Sequence, residues 1–235
     1  IGIYDPDVSP LEYGTTHNSI GTVYRNLADI EGETQHLEKA IAAFQSALLY
    51  LTPENAPLDY VMVQNNLGNA YWQRAKNEER DENLQRAIAA YEAALVACDP
   101  QKSPLVYATA QNNLGNVYVD LAESQDEHPN LNRALAASQE TLLYANPDTS
   151  ATMYATLQNN LGNVCRRLAA FEDRDLNLKR AMTAYREAAK FFTMLSSPLA
   201  YATLQANMGI VYRDLGELSE AIASWKETAI IASQF

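Results

Sequence analysis

The chain has 235 residues, 47% of them hydrophobic and 20% charged, with 9 Gly, 9 Pro and 2 Cys, which excludes a disordered, collagenous or disulfide-built protein. Its formal charge of −12 and pI near 4.6 exclude general nucleic-acid binding, which needs a basic surface to displace counterions, and disfavour an anionic membrane surface. No apolar run reaches the ~20 residues that span a bilayer, no signal-like segment opens the chain, and Cys98 and Cys165 lack a CxxC spacing, as suits reduced thiols in the cytoplasm.

In chain order, residues 1–9 are expected to be the tail of an upstream helix and a linker, because Pro6 aligns with Pro53, Pro100 and Pro147 at a step of 47. The first residue, Ile1, suits a processed or excised piece. A glycine then returns at Gly21, Gly68, Gly115, Gly162 and Gly209, again 47 apart and within Leu-Gly-Asn or a close relative. A fixed period of this length marks a repeat array and makes a two-domain enzyme unlikely on organisation alone. Five repeats are expected, at 10–56, 57–103, 104–150, 151–197 and 198–235. Each opens on a helix beginning at Pro10, Pro57, Pro104 or Pro198, a residue pre-set for the first helical position, or at Ala151 in the fourth. Ser103 is placed to cap the free N–H groups of its helix.

In the third repeat Tyr107, Gln111, Leu114, Tyr118 and Leu121 make one helical stripe. Leu131, Ala134, Leu135, Ser138 and Leu142 make another, on a second helix predicted over about 131–144 and closed by Asn146-Pro147. The first stripe place is Tyr13, Tyr60, Tyr107, Tyr154 and Tyr201; the fourth is Tyr24, Tyr71, Tyr118, Cys165 and Tyr212. Periodicity makes these packing residues. Mid-helix glycines cost about 1 kcal/mol each relative to Ala, so a close approach is expected, with Ala40, Ala87, Ala134, Ala181 and Ala221 as the matching small residues of the second helices. The glycine-to-alanine step is 19 in four repeats and 12 in the last. The seven extra residues are expected to be an inserted loop rich in acid, such as Glu78, Glu79, Asp81 and Glu82 or Glu172, Asp173 and Asp175, forming a solvating rim.

The string Asn66-Leu67-Gly68-Asn69-Ala70-Tyr71, followed by Ala87-Ile88-Ala89-Ala90-Tyr91-Glu92-Ala93-Ala94-Leu95, resembles the tetratricopeptide repeat. The resemblance implies an all-α, right-handed α-solenoid of five helix-turn-helix repeats, about ten helices. The usual unit of that family has 34 residues; this longer form is similar to arrays of bacterial signalling proteins and of kinesin light chain. Such arrays are protein-interaction scaffolds, which implies a protein or peptide ligand and a sensor or docking role beside a fused effector domain in a larger signalling protein.

No P-loop, GxGxxG, GxSxG or HExxH is present, and His17, His36 and His128 lack metal-ligand spacing, so no enzyme activity, cofactor or metal is expected. Chemistry points instead to the helix face away from the stripe. It carries Asn65, Asn66 and Asn69, then Asn112, Asn113 and Asn116, then Asn159, Asn160 and Asn163, and finally Asn207. Asn is a poorer helix former than the Glu, Lys or Gln of an ordinary solvated face. An amide both donates and accepts, so a ladder of them on the concave face that the resemblance implies can pair with the backbone of a peptide. The alternative is that these Asn bond neighbouring repeats. One turn along stand Trp72, an aromatic suited to anchoring a partner, and Arg166, Arg167 and Arg213, suited to a carboxylate or phosphate or else paired with local acids such as Asp214. A structural spacer whose ends self-associate is the rival function.

Overall fold

The structure is a computed structural model and describes residues 5–233. The expected upstream tail over 1–9 therefore lies outside the described residues at 1–4, as do residues 234 and 235. Among the described residues there are ten helices: α1 Pro10–Glu31, α2 Thr34–Leu48, α3 Pro57–Arg74, α4 Arg80–Ala97, α5 Pro104–Leu121, α6 Glu127–Tyr144, α7 Ala151–Leu168, α8 Arg174–Ala189, α9 Pro198–Leu215 and α10 Leu218–Ala232. The fold is all-α, and the helices pair as helix-turn-helix hairpins. Two compact units divide the chain, the first ending at Ser124 and the second beginning at Gln125. In the first, α1 to α5 pack each on the next, and the alternate helices α1, α3 and α5 also touch; in the second, α6 to α10 do the same, with α7 touching α9.

Proline at the first position starts α1, α3, α5 and α9. The capping expected of Ser103 is not made: its side chain bonds no helix N–H. Pro104 has no N–H to satisfy, and the preceding turn is closed by its own bond from Ser103 N–H to the Asp99 carbonyl at 3.0 Å or less, while the Ser103 carbonyl accepts from Tyr107. The stripe tyrosines are packed and also tethered. Gln64 donates to Tyr60 Oη at 3.0 Å, Gln111 to Tyr107 at 3.1 Å, Gln158 to Tyr154 at 2.9 Å and Gln205 to Tyr201 at 2.8 Å. His17 takes the same place in α1, stacking 4.2 Å from the Tyr13 ring with Nδ1 at 3.0 Å from the Tyr13 carbonyl.

The glycines do not face the alanines. A Cβ added at Gly68 would meet the Tyr91 ring at 2.6 Å and one at Gly21 the Phe44 ring at 2.5 Å, while Gly162 and Gly209 lie equally close against Tyr185 and Trp225. Each aromatic is one turn beyond the expected alanine. Phe44, Tyr91 and Tyr185 are fully buried, so the missing Cβ makes room for a ring that is among the largest fully buried side chains of the described residues. The alanines are buried too, but against other neighbours.

The seven extra residues are not simply a loop. In the second and fourth repeats the second helix starts seven residues before its alanine, at Arg80 and Arg174, against three for Leu218 in α10. Four of the seven thus add a helical turn and three lengthen the connection. The five-residue turns after α3, α5 and α7 end in a left-handed residue, Glu79, Asp126 and Asp173, with φ of 42°, 41° and 41°. A buried amide ties each turn: Asn83 donates to the Glu78 carbonyl, Asn130 to Gln125 and Asn177 to Glu172, all at 2.9 Å. In the first repeat the extension is entirely helical, lengthening α1 and α2 around Gly32–Glu33. Many of the expected loop acids therefore sit on helix ends, where Asp81, Glu82, Glu127 and Asp175 lie in first turns and favour the helix dipole.

Candidate functional site

α3, α5, α7 and α9 are of one length and begin at the same phase. Within each unit their asparagines consequently fall in register. Asn66 Nδ2 donates to Asn18 Oδ1 at 3.0 Å, Asn113 Nδ2 to Asn65 Oδ1 at 3.1 Å and to Asn69 Oδ1 at 3.3 Å, and Asn207 Nδ2 to Asn159 Oδ1 at 3.3 Å. Asn69 and Asn163 also accept from the hydroxyls of Tyr91 at 2.7 Å and Tyr185 at 2.8 Å. Within each unit the amides thus join one first helix to the next, and they fasten the rings beside Gly68 and Gly162. Asn112, Asn116 and Asn160 hold the equivalent places on α5 and α7 and are also engaged.

Burial of the row is intermediate throughout, from Asn65 to Asn207. An amide has two hydrogens and its oxygen two lone pairs, so a single internal bond leaves capacity toward solvent. Asn69 lines a shallow cleft of about 210 Å³ with Arg25, Asp29, Trp72, Gln73 and Lys76. Trp72 is held there by a bond from Nε1 to Asp120 Oδ2 at 2.5 Å, with Lys76 Nζ 6.0 Å from its ring centre. In the second unit Arg166, Arg167 and Arg174 line a cleft of about 370 Å³ with Glu127 and Asp214.

The three sequence-selected arginines have different surroundings. Arg167 pairs with Glu127 at 3.0 Å, and Arg213, which does not line the cleft, pairs with its neighbour Asp214 at 2.7 Å. Arg166 has its Nε buried with no hydrogen-bond partner among the described residues. Its guanidinium acts on Tyr185, whose hydroxyl burial pushes up to about 12, the nearby positive charge opposing that shift. The cleft therefore holds three cations against two carboxylates in a strongly acidic protein.

The structure also gathers groups the sequence spacing did not suggest. Glu31, Glu33 and His36 place ligand atoms within 4.8 Å of one another, with His36 Nε2 at 2.7 Å from Glu31 and 3.5 Å from Glu33. These contacts lie at the turn end of the first hairpin, where both carboxylates are exposed. The turn amides Asn83, Asn130 and Asn177 were likewise missed, although their 47-residue step marked them. Both cysteines are free thiols and buried. Among the described residues no helix is long and apolar enough to cross a membrane.

The sequence profile described as Tetratricopeptide repeat matches residues 61–100, which run from the middle of α3 through α4. None of the curated proteins matches the chain. Among solved structures, one titled MamA protein is 19% identical over 95% of this chain and 93% of its own, with a TM-score of 0.63. A second, titled MamA, is 18% identical over 89% and 95%, with a TM-score of 0.58. BtubC (BKLC) from P. vanneervenii is 18% identical over 95% and 91%, with a TM-score of 0.55. At these identities the likeness is one of fold.

Proposed function

We propose that this chain, which belongs to the tetratricopeptide-repeat family, is a non-enzymatic protein-interaction scaffold that holds a peptide segment along the asparagine face of its first helices. The observation that carries the reading is the row of partly buried amides within each unit, bordered in the first by the Trp72 cleft and in the second by the Arg166 cleft. Amides reach a peptide backbone whatever its side chains, Trp72 supplies an apolar anchor, and Arg166 supplies a charge for a carboxylate or phosphate on the peptide. The repeat boundaries at 10, 57, 104, 151 and 198 and a docking role inside a larger cytoplasmic signalling protein belong to the same proposal.

The test is a peptide selected by display against the full chain. Asn69→Asp and Asn163→Asp keep the oxygen that accepts from Tyr91 and Tyr185 but remove the amide donor. Together they should weaken the selected peptide at least tenfold with helicity and melting temperature unchanged. Unchanged affinity would remove the amide row from the reading.

A second reading, end-to-end self-association, is supported by α10. Leu218, Ile222 and Trp225 are 60%, 51% and 36% exposed, whereas their equivalents in α8, Leu178, Met182 and Tyr185, are 1%, 5% and 0% exposed. Sedimentation velocity across a concentration series separates the two: a monomer at all concentrations removes the second reading.

A further inference from the structure

Four first helices carry a tyrosine at one periodic place, Tyr24, Tyr71, Tyr118 and Tyr212, and α7 carries Cys165. The surroundings of those tyrosines are periodic as well. In the first two hairpins a cation of the second helix lies over the ring: Lys39 Nζ is 5.6 Å from the Tyr24 ring centre, and the Arg86 guanidinium carbon is 5.8 Å from that of Tyr71. The hydroxyl meets the second helix of the preceding hairpin. Gln45 donates to Tyr71 Oη at 3.1 Å, Tyr118 Oη donates to Glu92 at 3.2 Å, and Arg186 donates to Tyr212 Oη at 3.3 Å.

At Cys165 the ring is missing and both kinds of partner remain. Gln139 is the 47-step equivalent of Gln45, Glu92 and Arg186, and Arg180 is that of Lys39 and Arg86. Both line a cleft of about 470 Å³ between α6, α7 and α8, together with Leu135, Leu161 and Cys165. Leu135 and Leu161 are only partly buried, while the residues in the same places around Tyr71, Ile41 and Leu67, are each 7% exposed. A ring-sized piece of apolar cover is absent from this one place.

We propose that the cleft receives a tyrosine side chain of a partner protein, with the ring against Leu135 and Leu161 beneath Arg180 and the hydroxyl on Gln139. The chain's own second repeat is the template for that occupant: Tyr71 already sets its ring beneath Arg86 and its hydroxyl on Gln45, the equivalents of Arg180 and Gln139. Arg180 favours an aromatic face, and a plain phenyl ring would forgo the bond to Gln139. The volume is that of an ordinary small-ligand pocket, ~300–1,000 Å³. Cys165 contributes surface, not reactivity, since its thiol is 1% exposed. The inference takes the kind of partner from the scaffold reading and uses none of the amide row, so either can fail alone.

The test uses the full chain with methyl-labelled leucine, titrated with p-cresol, toluene and N-acetyl-L-tyrosinamide. p-Cresol and N-acetyl-L-tyrosinamide should saturably shift the Leu135 and Leu161 methyl signals, with toluene binding several-fold more weakly. Cys165→Tyr should abolish binding and raise the melting temperature, as the new ring regains Gln139 and Arg180. Gln139→Leu, at an exposed position that folding does not depend on, should reduce p-cresol to the affinity of toluene. Absence of shifts at these methyls, or p-cresol binding unchanged in both variants, would overturn the proposal. Binding of p-cresol without N-acetyl-L-tyrosinamide would overturn it too, because the cleft would then exclude a ring carried on a polypeptide.

Discussion

The hairpins α3–α4 and α7–α8 follow one plan and differ most in size at one buried place, Tyr71 against Cys165. Both set a glycine against a tyrosine ring, Gly68 on Tyr91 and Gly162 on Tyr185, and both fasten that hydroxyl to an asparagine, Asn69 or Asn163. Both close their turn with a buried amide, Asn83 or Asn177. At Tyr71 and Cys165 they part: the first hairpin fills its inter-repeat space with a ring and the second leaves a cleft. The difference separates what every repeat needs in order to pack from what one repeat can give up in order to bind.

The shared part breaks first when the ring beside the glycine is removed. Tyr91→Ala should lower the unfolding free energy by about 3–5 kcal/mol in urea denaturation. Gly68→Ala should lower it by about 1–3 kcal/mol through overpacking. In the Tyr91→Ala background, however, Gly68→Ala should stabilise, since the ring is gone and alanine gains helix propensity of about 1 kcal/mol. Additive effects would show that glycine and ring are not a pair.

The differing place has a smaller effect. Tyr71→Cys should cost about 2–3 kcal/mol and give the first unit a cleft like that at Cys165, which saturable p-cresol shifts of the Leu67 methyl signals would detect. Smaller again, Asn83→Ala and Asn177→Ala should each cost about 1–2 kcal/mol, because each removes a buried bond to a turn carbonyl; equal losses in the two hairpins would sharpen their equivalence.

A pH dependence distinguishes the hairpins last. Burial pushes the Cys165 thiol from its ordinary 9.0 up to about 11. A raised folded-state pKa means the folded protein holds the proton more tightly, so this stabilisation is complete below about pH 9 and is lost as pH rises toward 11. Urea unfolding at pH 8 and pH 10.5 should show a loss in the native chain that is smaller in Cys165→Ala.

Much of the fold was legible in the repeat itself. The period placed the helix starts at Pro10, Pro57, Pro104, Ala151 and Pro198, because proline at a first turn is a local signal that packing does not override. The extra helical turn before Ala87 and Ala181 was not legible: it depends on a left-handed Glu79 or Asp173 and on Asn83 or Asn177 reaching back to a turn carbonyl, a tertiary arrangement with weak local propensity. The glycine partners were misplaced by one turn, since a period shows that a small residue faces something but not whether that something is a methyl group or a ring. The asparagine face was visible, but its bonds between repeats came from helix alignment alone. Cys165 stood out as an exception in a row of tyrosines, and its meaning needed the positions of Gln139 and Arg180 around it.

The amide row remains the center of the functional account, and side-chain NMR reads it most directly. With the display-selected peptide bound to the full chain, the side-chain NH₂ resonances of Asn69 and Asn163 should shift with occupancy, as expected of donors taken up by the ligand. Resonances that stay in place at saturation would contradict the account.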